Sequence, residues 1–391
     1  MYHLGTHRAC PPDRTLRRIE PFLAPAGITR LADVTGLDWV GMPVYQAIRP
    51  NSRNISVSQG KGLTRTQAKV SALMEALESF HAEDPPGAAV HAPIADLDLG
   101  YDPYELAIAM APSPGTVCRD PSYDPFGPPI GRPTLLTDDT PLDWLAAVNL
   151  LTGAGARVPR PLCHLDFCTE ERPRLPLFRA TSNGLASGNT DAEAVVHGLC
   201  EVVERDSVWR AQGGRFDPDR CLAPATVTSR RAAALLDRFG SRGLRTRMVD
   251  VTGPVGLPCF EVFLAHPDLP FSYHGAGCHL DRDTALLRAL TEAAQSRLGH
   301  IAGSRDDLFR QTYTTPADVM APFALEARRD YSSVPSLSMD SWTGAIAEIA
   351  GRIAAVTGAA PLAVDLTRQD FGLPVVFVVA PGLRLIAPRR R

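Results

Sequence analysis

The chain has 391 residues, of which 45% are hydrophobic and 21% charged, enough to build a full core and too apolar for dominant disorder. A net charge of −3 leaves no basic footprint for nucleic acid, and no run reaches the about 18 apolar residues of a membrane span. Residues Met1–Thr6 lack the charged and apolar regions of a secretory signal, so the expected compartment is the cytoplasm.

In chain order, Gly41–Ile48 and Asn54–Ser58 read as strands, and Ser58-Gln59-Gly60-Lys61-Gly62 as a glycine loop. An amphipathic helix follows over about 65–83. Proline clusters at Pro85–Pro93, Pro112–Pro133 and Pro159–Pro176 read as irregular connections on either side of a strand at Leu142–Leu151. A second glycine loop, Ser182–Asn189, leads into a helix over about 191–212. Strands at Arg247–Val251 and Cys259–Leu264 precede a third helix over about 283–302, and Pro374–Ala380 reads as a buried strand. The irregular alternation predicts a mixed α/β or α+β chain rather than a regular βαβ series. We expect residues 1–50 to form an N-terminal segment packed on a core domain of 51–391.

The eight cysteines have no secretory context and read as free thiols. Cys163 and Cys168 bracket His164 and Asp166, but no second pair of ligands follows to complete a zinc site.

The three predicted helices resemble one another. A shift of 126 residues superposes Gly62 on Gly188, Gln67 on Glu193, Ala68 on Ala194, Leu73 on Leu199, Glu75 on Glu201 and Glu78 on Glu204. A further 91 superposes Ala194 on Ala285, Leu199 on Leu290, Glu201 on Glu292 and Glu204 on Gln295. We read three repeats of a strand–loop–helix unit around one site.

Glu75 and Glu78 share a helix face, as do Glu201 and Glu204, and like charges at that spacing repel by about 0.2–0.5 kcal/mol. Either pair alone is most simply a solvated surface. Two pairs at repeat-equivalent positions, beside leucine and alanine, instead suggest inward carboxylates that need a cation, and Mg²⁺ with substrate phosphates fits them. Glu78 and His81 also make half of a di-iron motif, whose second half is absent from the second helix. The two glycine loops before the helices suit phosphates. Lys61, one of only two lysines, could meet a phosphate as a point charge, although the loop is not a Walker A motif. Thr64 with Gln67 and Thr190 with Glu193 form capping boxes, so Glu193 has a purely local alternative role, as does Asn189 in shaping the turn.

Three stretches carry a family resemblance: Ser58–Glu78, Ser182–Asp206, and Thr291–Arg297 with Gly303–Asp307. They resemble the three motifs of the YcaO family, with the likeness extending over about residues 30–385. Gly27–Asp38 and Arg49-Pro50-Asn51 resemble the subgroup associated with a TfuA partner protein. The resemblance implies a YcaO fold of β-sheets with flanking helices around a central ATP site, and ATP-dependent activation of a peptide or protein backbone amide. A nucleophile adds to the carbonyl, ATP phosphorylates the amide-derived oxygen, and phosphate leaves. A Cys, Ser or Thr side chain gives an azoline, whereas external sulfide gives a thioamide, the chemistry associated with TfuA.

Carried over motif by motif, Glu75, Glu78, Glu201 and Glu204 would hold Mg²⁺. Asn189, Glu193 and Arg205 would contact ATP, with Lys61, Gln295, Arg297 and Arg305 in the same pocket. Arg8 and Thr15 repeat the spacing of a nucleotide-contacting pair in some relatives. The end Ala387-Pro388-Arg389-Arg390-Arg391 departs from the Pro-x-Pro-x-Pro tail of azoline-forming members. Thioamidation with a TfuA-like partner is therefore the favoured reading. The alternatives are an azoline-forming cyclodehydratase and an accessory factor for ribosomal protein S12 methylthiolation. A homodimer is expected from the family.

Overall fold

The computed structural model describes residues 5–87, 89–104, 106, 117–118, 134–168, 178, 180–212, 214–306 and 319–385. Most of the Pro112–Pro133 connection, part of Pro159–Pro176, Asp307 and the Ala387–Arg391 tail lie outside them. The chain divides into two compact units, Met1–Phe80 with Arg210–Ser341, and His81–Trp209 with Trp342–Arg391.

In the first unit, strands Arg30–Asp33, Val44–Ile48 and Val57–Lys61 form an antiparallel meander that runs into the helix Arg65–Ala82. A second antiparallel meander, Arg245–Asp250, Cys259–Ala265 and Ser272–Cys278, runs into the helix Arg282–Ala302. That helix buries Leu286, Leu290 and Leu298 in one core with Phe260, Val262 and Leu264 of the second meander, Phe239 of the helix Arg230–Ser241, and Val44 of the first meander.

The second unit is built on a six-stranded antiparallel sheet. Its path runs Val90–Pro93, Pro141–Asn149, Leu362–Asp365, Val375–Val379 and Leu185–Ser187, with Gly155–Pro159 paired to Pro141–Asn149. The helix Asp191–Ala211 follows the short strand Leu185–Ser187 and places Gly198 against Val378. The helix Trp342–Thr357 belongs to the same unit. The mixed α+β class is as expected, and the three long helices lie within two residues of their expected bounds.

Two expectations are corrected. The strand Val90–Pro93 lies in a proline cluster read as irregular. Ser58–Lys61 is not a phosphate-cradling loop but most of the strand Val57–Lys61, and Leu185–Ser187 within the second loop is also a strand. Gly60 has a packing reason: a Cβ there would collide with Ala68 O and Ala72 N of the following helix. Gly277, 217 residues later, would collide in the same way with Ala285 O and Ala289 N. Since 285 − 68 and 289 − 72 are also 217, the close strand–helix approach is itself repeated.

The repeat is geometric throughout. Each long helix follows its strand after three residues, 62–64, 188–190 and 279–281. The helix starts are locally encoded as well. Thr64 Oγ1 accepts from Gln67 N–H while Gln67 Oε1 accepts from Thr64 N–H, a complete capping box. Thr190 Oγ1 accepts from Glu193 N–H, and Asp281 caps the third helix by accepting from the N–H groups of Asp283 and Thr284.

Candidate active site

Each unit carries its own acidic cluster. In the first unit, the partly buried Glu75 accepts from Gln59 N–H at 3.3 Å. Its repeat mate Glu292 accepts from Ala276 N–H at 3.4 Å. The two acceptors and the two donors are again 217 residues apart, so matching strands present matching backbone donors to matching glutamates. Lys61 Nζ lies 2.6 Å from Glu292 Oε2, neutralising one of the two carboxylates. Burial is the main force on Glu75 and pushes its pKa up to about 7, reinforced by Glu292 and opposed by Arg305, Lys61 and the Gln59 N–H. Glu75 is therefore a carboxylate short of positive charge, which is what a divalent-cation ligand should be before the ion arrives. Glu78 is partly buried one turn further on, and Gln295 is buried in the third helix.

In the second unit, Arg205 forks between two carboxylates, 3.3 Å from Glu201 Oε1 and 3.5 Å from Glu204 Oε1. Glu204 is nearly inaccessible, with its side chain 4% exposed, so the fork offsets the repulsion expected between two glutamates on one helix face. Asn189 Nδ2 donates to both oxygens of the buried Glu193, at 3.2 and 3.1 Å. Glu193 thus caps its helix through its N–H while its carboxylate orients Asn189.

The remaining expected residues divide. Arg8 lies in the electrostatic neighbourhood of His279, whose pKa is pushed down to about 3 by burial, His7, Arg288 and Arg8. That imidazole is neutral, and its Nδ1 accepts from Asp281 N–H at the start of the third helix. Thr15 is buried in the helix Pro12–Ile19, its Oγ1 3.5 Å from Cys10 Sγ.

Arg297 is paired with its own counter-charge outside the glutamate clusters. Its side chain is 1% exposed and donates to both oxygens of Asp38, at 2.9 and 3.1 Å. It is also sandwiched between Trp39 and Tyr273, 4.6 and 5.2 Å from their ring centres. A guanidinium so enclosed is a core ion pair, and its Nη1 is buried without a hydrogen-bond partner among the described residues. Its partner Asp38 lay 259 positions away, and no local pattern pointed to it. Glu292 is signalled in the sequence only as the repeat mate of Glu75 and Glu201.

Among the described residues, no three His, Cys, Asp or Glu side chains form a metal cage by themselves, and seven cysteines are free thiols. The donors that are present are hard oxygens in small groups, the set with which Mg²⁺ is held jointly by protein carboxylates and phosphates.

The YcaO family, described as ATP- and Mg²⁺-binding cyclodehydratases, matches residues 59–384, and the chain belongs to it. A Mycobacterium tuberculosis protein without assigned function is 37% identical over 97% of this chain and 83% of its own length. A Rhizobium leguminosarum bv. trifolii protein, known by its place in the 3′ region of tfuA, is 37% identical over 78% of this chain and 70% of its own. Among solved structures, a heterocyclase in complex with substrate and cofactor aligns with 97% of the chain at a TM-score of 0.77 and 23% identity. The chain spans about half of that protein, 53%. The YcaO protein of Methanopyrus kandleri, bound with AMPPCP and Mg²⁺, aligns with 98% of the chain and 94% of its own length at a TM-score of 0.71 and 23% identity. Among the described residues, no helix is long and apolar enough to cross a membrane.

Proposed function

We propose that this protein uses ATP and Mg²⁺ to activate a peptide or protein backbone amide, and that external sulfide then makes it a thioamide with a TfuA-like partner. The observation that carries the finer reading is the relative in the tfuA 3′ region, 37% identical over most of this chain. When bound, Mg²⁺·ATP supplies the phosphoryl group that converts the amide-derived oxygen into a leaving group. Sulfide bonding to the carbonyl carbon, with that oxygen departing in phosphate, leaves sulfur in place of oxygen.

The chain's own side chains bind and orient. Glu75, Glu78, Glu201 and Glu204 are the proposed Mg²⁺ ligands. Of these, Glu75 lacks a full complement of positive charge, and Glu204 is desolvated beside Arg205. Lys61, Asn189, Glu193, Arg205, Gln295, Arg305, Arg8 and Thr15 are the proposed nucleotide-binding residues. Lys61 and Arg305 bring positive charge toward Glu75, while Glu193 fixes the Asn189 amide and Arg205 offers a planar fork suited to phosphate. Positioning and charge neutralisation are the catalytic means such chemistry requires.

The test is to incubate the protein with Mg²⁺·ATP, sulfide, a TfuA-like partner and candidate peptides, and to weigh the products. A gain equal to the difference between sulfur and oxygen is expected. Loss of one water would replace this reading with azoline formation, which the cyclodehydratase description of the family favours. Nucleotide binding without peptide-dependent phosphate release would favour an accessory factor.

A further inference from the structure

The third long helix ends at Ala302, and Gly303 caps it in the left-handed region at φ 61°, donating its N–H to Gly299 O. The turn lays the next residues on the first meander. Ser304 Oγ donates to Oε1 of the buried Gln46 at 2.8 Å. Asp306 accepts from Ser56 twice, from its N–H at 2.7 Å on one oxygen and from its Oγ–H at 2.8 Å on the other. Ser56 immediately precedes the strand Val57–Lys61, whose Gln59 N–H reaches Glu75.

Arg305 therefore sits between two anchored neighbours, one of them bonded to the residue that precedes the strand reaching Glu75. A long arginine side chain on a free segment would spread over many rotamers, at about 2 kcal/mol of entropy. Charge-assisted bonds on the next residue fix the backbone from which that side chain extends. We propose that Asp306 is a positioning residue, whose clamp on Ser56 fixes the 304–306 segment so that the Arg305 guanidinium is delivered to the nucleotide site. This rests on the reading of Arg305 as a nucleotide-binding residue.

The test measures the affinity of the full chain for Mg²⁺·AMPPCP by calorimetry. The proteins compared are the wild type, Asp306→Ala, Arg305→Ala, the double variant, Asp306→Asn and Ser56→Ala. Arg305→Ala should weaken binding by about tenfold or more, the scale of a lost charged hydrogen bond. Asp306→Ala should weaken it by about fivefold, and the double variant should match Arg305→Ala alone, because nothing then remains to be positioned. Asp306→Asn, which keeps an acceptor for the Ser56 N–H and can donate to Oγ, should restore affinity to within about twofold of wild type.

Affinity unchanged in Asp306→Ala beside a weakened Arg305→Ala would overturn the positioning role alone, as would full additivity in the double variant. No loss in Arg305→Ala would remove the site reading, and this proposal with it. Should Asp306→Ala fail to fold, Ser56→Ala removes only the hydroxyl arm of the clamp. It should cost about twofold, again only when Arg305 is present, and the same cost without Arg305 would overturn the proposal.

Discussion

Replacing Glu75 by glutamine separates the electrostatics of the first acidic cluster from its packing. The carboxyl titrates at 4.5 when unperturbed and at about 7 in the fold, chiefly because burial penalises its charge. A folded-state value above the unfolded one means that the native protein holds this proton more tightly. The resulting stabilisation is fully present below pH 4.5 and is lost as pH rises through about 7. Each pKa unit is worth about 1.4 kcal/mol, so the loss approaches about 3 kcal/mol by pH 8.5, and the partial exposure of Glu75 trims it toward about 2.

Glutamine has nearly the same shape and never ionises. Without added Mg²⁺, urea unfolding should show Glu75→Gln close to wild type at pH 4.5 and more stable by about 2–3 kcal/mol at pH 8.5. The difference between the two proteins cancels groups that titrate alike in both. Millimolar Mg²⁺ with nucleotide should stabilise wild type at pH 8.5 and narrow the gap, since binding to the native state alone raises its stability. An advantage for the glutamine variant that does not grow between pH 4.5 and 8.5 would refute the charge deficit assigned to Glu75.

Two further predictions concern the scaffold. Gly60→Ala, or equally Gly277→Ala, forces a methyl group into the backbone of the helix beneath its strand and should cost about 3 kcal/mol or more in unfolding free energy. A loss under about 1 kcal/mol would mean that the strand–helix approach is looser than described. Asp38→Ala should destabilise the protein by about 3–5 kcal/mol, because it strands the Arg297 guanidinium without a counter-charge. Unfolding at the wild-type midpoint, together with lost nucleotide binding in Arg297→Ala, would return Arg297 to the nucleotide site.

The three long helices were legible because each is a proline-free run of 18–21 residues rich in alanine, leucine and glutamate and opened by its own capping residue, all of it local information. The repeat was legible for a related reason: leucine, alanine and glutamate recur at fixed offsets whenever one strand–helix unit is used again. From it followed the two glutamate pairs, whereas the expectation of an ATP- and Mg²⁺-binding YcaO fold rested on the resemblance of three stretches to the motifs of that family.

Other features depended on residues far apart in sequence. Ser272–Cys278 did not read as a strand because two glycines dilute its β pattern, and those glycines exist for a helix that comes later in the chain. The same contact turned the Gly60 segment from an apparent phosphate loop into a strand.

Charge partners were the least visible of all. Arg297 and Arg305 stand eight residues apart, yet one is sealed against Asp38 beside two aromatic rings and the other lends positive charge to the surroundings of Glu75. Sequence determined which side chains could carry charge into the core. Tertiary structure decided which of those charges were already neutralised, because Coulomb energy and desolvation depend on distance and burial, and neither is written in the order of residues.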